Sequence, residues 1–142
     1  MRLVMVLAAA LAAVGEATAQ DVAGTWEVTW AQAVRVNGDG SVEFLRWGEA
    51  VLTLAREGER VTGTWVGPLA TWKVEGSFSA GSVTLSAHEH DSSDPQMAAI
   101  ERFRWSGRLD GDRLEGQMWI DLRDRDREPP ARPWRAVRRR GS

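Results

Sequence analysis

The only two histidines, His88 and His90, form a His-x-His pair that could bind a metal ion. In a β-strand, residues two apart share a face, and Asp91 and Asp94 follow close behind. Two imidazoles with a nearby carboxylate are a common basis for a zinc site. However, the pair continues a polar strand face begun at Thr84, which predicts that both rings point towards solvent. We therefore expect no bound metal and keep a metal site on the histidine pair as the alternative.

Glu101 is the acidic residue whose spacing is most suggestive of chemistry. By the two-residue period of a strand it shares a face with Phe103 and Trp105, so we expect its carboxylate to face the apolar side of that strand. A carboxylate among aromatic rings can act as a general acid or orient a ligand. The alternative is a hydrated carboxylate at the rim of the site.

Other catalytic signatures are missing from the sequence. It contains no cysteine, no Gly-x-Ser-x-Gly nucleophile motif and no glycine-rich phosphate loop. We therefore expect a protein that is not an enzyme and uses no cofactor. An acid or base role for Glu101, His88 or His90 is the enzymatic alternative.

The composition is that of a soluble globular protein. Of 142 residues, 43% are hydrophobic and 27% are charged, and the net charge is −2. This balance excludes a broadly basic surface for nucleic acid. Five arginines near the C-terminus are interpreted as a solvated end: Arg132, Arg135, Arg138, Arg139 and Arg140.

The first residues have the features of a signal peptide. Arg2 precedes an apolar run from Leu3 to Val14, and Ala17-Thr18-Ala19 supplies a small-residue cleavage site. We predict a signal peptide over residues 1–19, one domain over residues 20–142, and export to the periplasm or the cell exterior. The apolar run is too short for a transmembrane helix, and a chain without cysteine has no lipoprotein anchor, so we expect no stable membrane anchor.

The remaining sequence predicts an all-β protein. Thr, Val and Trp alternate with polar residues, and turn residues such as Asp110-Gly111-Asp112 separate the runs. We predict eight strands, at residues 24–35, 41–55, 60–66, 71–79, 82–89, 100–109, 113–122 and 133–139.

The spacing of glycines and loops predicts that these strands form a closed barrel. Glycines recur two residues before a large apolar residue, as at Gly63 and Trp65, and such gaps let a strand bend sharply. Eight bent strands with short links favour an antiparallel up-and-down barrel, which leaves no unpaired edge. Because long connections at residues 32–40, 90–99 and 123–132 all follow odd-numbered strands, we expect them to ring one open mouth.

Several segments resemble a known group of small barrels. Ala23-Gly24-Thr25-Trp26 resembles the Gly-x-Trp signature of lipocalins and the wider calycin group. Three later segments are similar in order and spacing to avidin-type barrels and to small exported bacterial lipocalin-like domains: Val61-Thr62-Gly63-Thr64-Trp65, Arg104-Trp105-Ser106-Gly107-Arg108 and Trp134-Arg135-Ala136-Val137-Arg138. The resemblance covers nearly the whole predicted mature chain and implies a calycin-like barrel.

The resemblance also implies roles for individual residues. In lipocalins the signature Trp packs beneath the barrel against an Arg of the last strand, so Trp26 and Arg138 are expected to form a structural plug at the closed end. The first strand, Trp26-Glu27-Val28-Thr29-Trp30, does not supply the set of hydroxyl and carboxamide groups with which avidins hold biotin. Biotin is therefore not an expected ligand.

Aromatic side chains dominate the predicted interior, since the chain has eight Trp and no Tyr. With Glu101, six aromatic residues are expected to lie towards the mouth and to contact a ligand: Trp30, Trp65, Trp72, Phe103, Trp105 and Trp134. The alternative is that these rings fill the barrel as packed core.

We favour an exported barrel that binds a small apolar or aromatic ligand at its open end. The first alternative is a protein-interaction or protease-inhibitor-type barrel, because calycin-type inhibitors resemble the Ala-Gly-x-Trp start and act through a segment near the N-terminus. The second alternative is the small enzyme described above. The expected partners are therefore a small apolar ligand or another protein.

Overall fold

Eight antiparallel strands form a closed barrel in the computed structural model, which describes residues 21–125 and 127–140. The strands are β1 (Gly24–Val36), β2 (Val42–Glu57), β3 (Arg60–Val66), β4 (Thr71–Ser79), β5 (Ser82–His90), β6 (Ile100–Asp110), β7 (Arg113–Leu122) and β8 (Arg132–Arg138). Each strand pairs with the next, and β8 pairs with β1. The predicted all-β, eight-stranded up-and-down barrel is confirmed, and every strand boundary lies within two residues of its prediction.

Helix contributes little to the described part of the chain. It forms one turn, α1 (Pro95–Ala98), in the connection between β5 and β6. None of the helical structure in residues 21–125 and 127–140 has the length and apolar character needed to cross a membrane. The predicted signal peptide at residues 1–19 lies outside the described residues.

The connections divide the barrel into a closed and an open end. Those after β2, β4 and β6 are two-residue turns, in which Gly58, Gly81 and Gly111 adopt positive φ. The longer connections, at residues 37–41, 67–70, 91–99 and 123–131, all lie at the opposite end. The expected clustering of long connections at one mouth is therefore present.

The β1–β2 hairpin projects beyond the rest of the barrel at the open end. β1 pairs with β8 only as far as Trp30, whereas its pairing with β2 continues to Val36 and Val42. The backbone N–H of Asn37 donates to the carbonyl of Ser41 at 2.8 Å and closes the turn. The expected loop at residues 32–40 is thus mostly strand, because alternating valines favour continued β pairing.

The closed end is sealed by Trp26 and Arg138. Trp26 is fully buried, and the Arg138 guanidinium carbon lies 4.4 Å from the centroid of its ring. Arg138 also donates to the carbonyls of Asp21 (2.6 Å) and Ala23 (2.8 Å), while Trp26 Nε1 donates to the carbonyl of Val22. These contacts hold the segment before β1 against the bottom of the barrel.

Three strand glycines allow neighbouring strands to approach closely. A Cβ atom at Gly63, Gly76 or Gly116 would overlap a backbone carbonyl of the adjacent strand. All three belong to the Gly-x-apolar pairs of the sequence, with Trp65, Phe78 and Met118 as the large partners. The sharp coiling that closes the sheet therefore depends on glycine, which has no Cβ atom, at these three positions.

An ionic network on the outer wall fixes the connection between β7 and β8. Arg104 donates to both carboxylate oxygens of Asp121 at 2.7 and 3.0 Å, and to Glu128 at 2.9 Å. Arg102 donates to Asp121 at 2.8 Å. The hydrogen bonds from Arg104, and to a smaller extent that from Arg102, hold the pKa of Asp121 below its usual value, although burial raises it.

Replacing Gly63 with alanine is expected to destabilise the barrel, because the new methyl group overlaps the carbonyl of Thr53. We expect Gly63→Ala to lower the free energy of unfolding by about 3 kcal/mol in urea titrations. Gly38→Ala is the matched control, since a Cβ there meets no atom within 4 Å. Equal stability of the two variants would contradict the close-approach interpretation.

The Asp121 network predicts a pH-dependent stability difference. Because the folded pKa of Asp121 is lowered, its carboxylate stabilises the fold above the ordinary pKa of 3.8, and this contribution is lost as the pH falls through the folded pKa. We expect Asp121→Asn to cost about 1 kcal/mol at pH 7, a modest value because the pairs are partly exposed. Urea unfolding should show a larger difference at pH 7 than at pH 2, and Asp110→Asn should show none at either pH.

Candidate functional site

A cavity of about 960 Å³ occupies the open end of the barrel. Its floor consists of four aromatic side chains, each less than one-tenth exposed: Trp30, Trp65, Trp72 and Phe103. These four belong to the six aromatic residues expected at a ligand site. The volume lies within the range of ordinary small-molecule sites.

The floor is held rigid by contacts between its own rings. Trp30 meets Trp65 edge-on at 5.9 Å between centroids, and Phe103 meets Trp72 nearly perpendicularly at 4.7 Å. Below the floor, Trp105 lies parallel to Phe103 at 5.5 Å and contacts Trp65 at 4.9 Å. Such edge-to-face and offset arrangements stabilise a fixed packing of the rings.

Trp105 and Trp134 belong to the packed core and do not line the cavity. Both are at most 1% exposed, and neither is among the residues that border the cavity. Trp134 Nε1 donates to the carbonyl of Ser106 at 3.0 Å. Packed rings therefore fill the barrel beneath the floor, whereas the four floor rings border the cavity.

The walls of the cavity come from the connections at the open end. The β1–β2 hairpin contributes apolar side chains, and so do α1, the start of β6 and the end of β7. The apolar wall residues are Ala33, Val34, Val36, Val42, Leu69, Ala70, Met97, Ile100, Ile120 and Leu122. An aromatic floor with aliphatic walls suits an apolar or aromatic molecule.

Arg132 is the one buried charged residue among those described, and it borders this cavity. It is 8% exposed, and its Nη1 donates to the carbonyls of Ala31 (3.1 Å) and Gln32 (3.0 Å). Its Nε is buried without an acceptor, as are the Nε1 atoms of Trp30 and of the core residue Trp105. A buried donor left unpaired costs about 1 to 3 kcal/mol, so these atoms are unusual in a well-packed protein. Burial lowers the pKa of the Arg132 guanidinium.

The position of Arg132 corrects the interpretation of the C-terminal arginines as a solvated end. Arg132 and Arg138 both point into the structure, one at each end of β8, whereas Arg135 is exposed over Trp47. The sequence held a signal for this arrangement. The two-residue period places Arg132 on the same strand face as Trp134 and Ala136, both of which are buried.

Glu101 does not face the cavity, and its expected inward orientation is wrong. Ile100 and Phe103 are both buried, while Glu101 and Arg102 between them are exposed. The pairing of β6 with β7 has a register shift between Ile100 and Arg102. This bulge adds one residue to the strand and breaks the two-residue alternation on which the expectation rested.

A second bulge separates the two histidines. The pairing of β4 with β5 shifts register between Lys73 and Glu75, so that His88 is exposed while His90 lies opposite Trp72. The His90 and Trp72 rings are 4.5 Å apart, and His90 Nδ1 accepts from the backbone N–H of Ser92. The expectation that the two rings share one outward face is therefore wrong for His90, which lies against Trp72, whereas His88 is exposed as expected. In the described part of the chain no three His, Cys, Asp or Glu side chains come together to hold a metal.

Comparisons with known proteins provide no functional assignment. No protein-family model matches the chain, and a search of curated proteins finds no match. Among solved structures, the crystal structure of Rv2717c from M. tuberculosis is similar to this chain, with 13% identity, a TM-score of 0.47, and coverage of 88% of this chain and 96% of that one. An identity of 13% does not transfer a function, so the function proposed for this protein depends on its own side chains.

Proposed function

We propose that this protein binds a small apolar or aromatic molecule in the cavity at the open end of its barrel. The observation that carries the proposal is the aromatic floor, in which Trp30, Trp65, Trp72 and Phe103 border about 960 Å³ of space that no side chain fills. Burial of apolar ligand surface against these rings would provide the driving force.

The positions of the titratable groups favour a ligand-binding protein over an enzyme. Glu101 and His88 lie outside the cavity lining, on exposed parts of β6 and β5. An acid or base role for either would have to act on a substrate held elsewhere. The proposed function is therefore that of a carrier or a sensor of the ligand. Export through the signal peptide at residues 1–19 would place this activity in the periplasm or outside the cell.

A neutral fluorescent probe tests the proposal. N-phenyl-1-naphthylamine is expected to bind with a micromolar dissociation constant, with an increase in probe emission and quenching of Trp emission. Ala33→Phe places a ring at the cavity wall and should weaken binding at least tenfold, whereas Ala55→Phe on the exposed outer face of β2 should not. Failure of the wild-type protein to bind the probe, or equal affinity of the two variants, would contradict a ligand site in this cavity.

A protein-interaction role is a second candidate, which a different surface favours. Phe44 and Trp47 lie on the projecting hairpin, 43% and 45% exposed, with ring centroids 6.4 Å apart. Exposed aromatic pairs of this kind often mark contact surfaces. The segment near the N-terminus is a poorer candidate, because Val22 is fully buried beneath the barrel. Such a contact would be sensitive to Phe44→Ser and insensitive to Ala33→Phe.

A further inference from the structure

We propose that the ligand is an amphipathic carboxylate, whose head group pairs with Arg132 while its apolar part lies on the aromatic floor. This inference rests on the proposed function and adds the chemical class of the ligand. Either an acyl chain or an aromatic ring could supply the apolar part, because both fit a cavity with aromatic and aliphatic walls.

Arg132 is a buried cation without an anionic partner among the described residues. The ion pairs of the described chain involve other arginines and Lys73, and the only hydrogen bonds of Arg132 are to the carbonyls of Ala31 and Gln32. A charge removed from water is stable only when paired or well solvated. The dipoles of the two carbonyls partly stabilise the buried charge of Arg132, and an anion in the cavity would supply the remaining stabilisation.

Arg132 has one free donor that an anion in the cavity could reach. Nη1 is engaged by the two carbonyls and Nε is fully buried, whereas Nη2 makes no hydrogen bond to a described residue and remains accessible. A carboxylate oxygen that accepts from Nη2 would form a charge-assisted hydrogen bond. Because Nη1 is already fixed to β1, Nη2 is held in place before any ligand arrives.

The charges around the cavity favour an anion over a neutral or cationic ligand. Its described lining contains four arginines, Arg46, Arg125, Arg127 and Arg132, and one acidic residue, Glu128, which is paired with Arg104 at 2.9 Å. This positive rim belongs to a chain whose net charge is −2. Such a local excess attracts anions to the mouth from solution.

The test compares matched acid and neutral ligands on the wild-type protein by isothermal titration calorimetry at low salt and pH 7.5. The pairs are decanoate with 1-decanol, and 2-naphthoate with 2-naphthamide, which separate the acyl from the aromatic source. We expect at least one acid to bind tenfold or more tightly than its neutral partner, and this preference to shrink as sodium chloride is raised. Equal affinity within both pairs would overturn the inference.

Two substitutions test whether the preference for the acid over its neutral partner depends on Arg132. Arg132→Gln should reduce the affinity for the preferred acid at least tenfold and leave that for the neutral partner nearly unchanged. Arg135→Gln, on the same strand but exposed to solvent, is the matched control and should bind both as wild type does. Folded Arg132→Gln protein, judged by its near-ultraviolet Trp signal, that keeps the full acid preference would also overturn the inference. If Arg132→Gln does not fold, the ratio of the wild-type affinities for each acid and its neutral partner tests the inference.

The outcomes separate this inference from the proposed function. Wild-type protein that binds N-phenyl-1-naphthylamine but shows no preference for either acid retains the ligand site and loses the carboxylate assignment. Wild-type protein that binds neither the probe nor any of the four ligands loses both.

Discussion

The antiparallel pairing of β1 with β8 is the interaction on which both ends of this protein depend. It closes the ring of eight strands from Trp26 opposite Arg138 to Trp30 opposite Trp134. At the closed end the same register places the Arg138 guanidinium over the Trp26 ring. At the open end β8 begins with Arg132 beside the point where β1 leaves the ring, and Arg132 donates to the two carbonyls that β8 no longer covers. One strand pairing therefore positions the plug at the closed end and Arg132 beside the cavity at the open end.

The interior consists of a packed lower part and a cavity above it, because the large aromatic rings fill only part of the barrel. Below the floor, Trp105, Trp134 and Met118 pack to complete burial, and the close approach of strands at Gly116 narrows the space they occupy. Above the floor the projecting hairpin and the long connections raise the walls without adding side chains large enough to meet across the middle. The cavity is thus a result of uneven strand length, since β1 and β2 extend beyond the strands that pair with their other edges.

Two β-bulges account for the site residues that sequence periodicity misplaced. Alternation predicts a face correctly only while each residue opposes one partner, as it does along β8, where Arg132, Trp134 and Ala136 are all buried. An extra residue near Glu101 turns its carboxylate to the outside, and another near His88 puts His88 and His90 in different environments. Neither bulge is marked by Gly or Pro at the shifted residues, so the local sequence contains no signal for it.

The number, order and direction of the strands follow from the sequence alone, because alternating β-forming residues and turn residues act locally. The sequence also predicts that the barrel has one mouth, since loop lengths follow from the same pattern. It identified four floor residues, Trp30, Trp65, Trp72 and Phe103, but it could not separate them from Trp105 and Trp134, which share their residue types and periodicity. The separation of floor from core and the position of Arg132 come from the folded barrel, because depth in a barrel and the partners of a buried charge depend on strands that are distant in the chain.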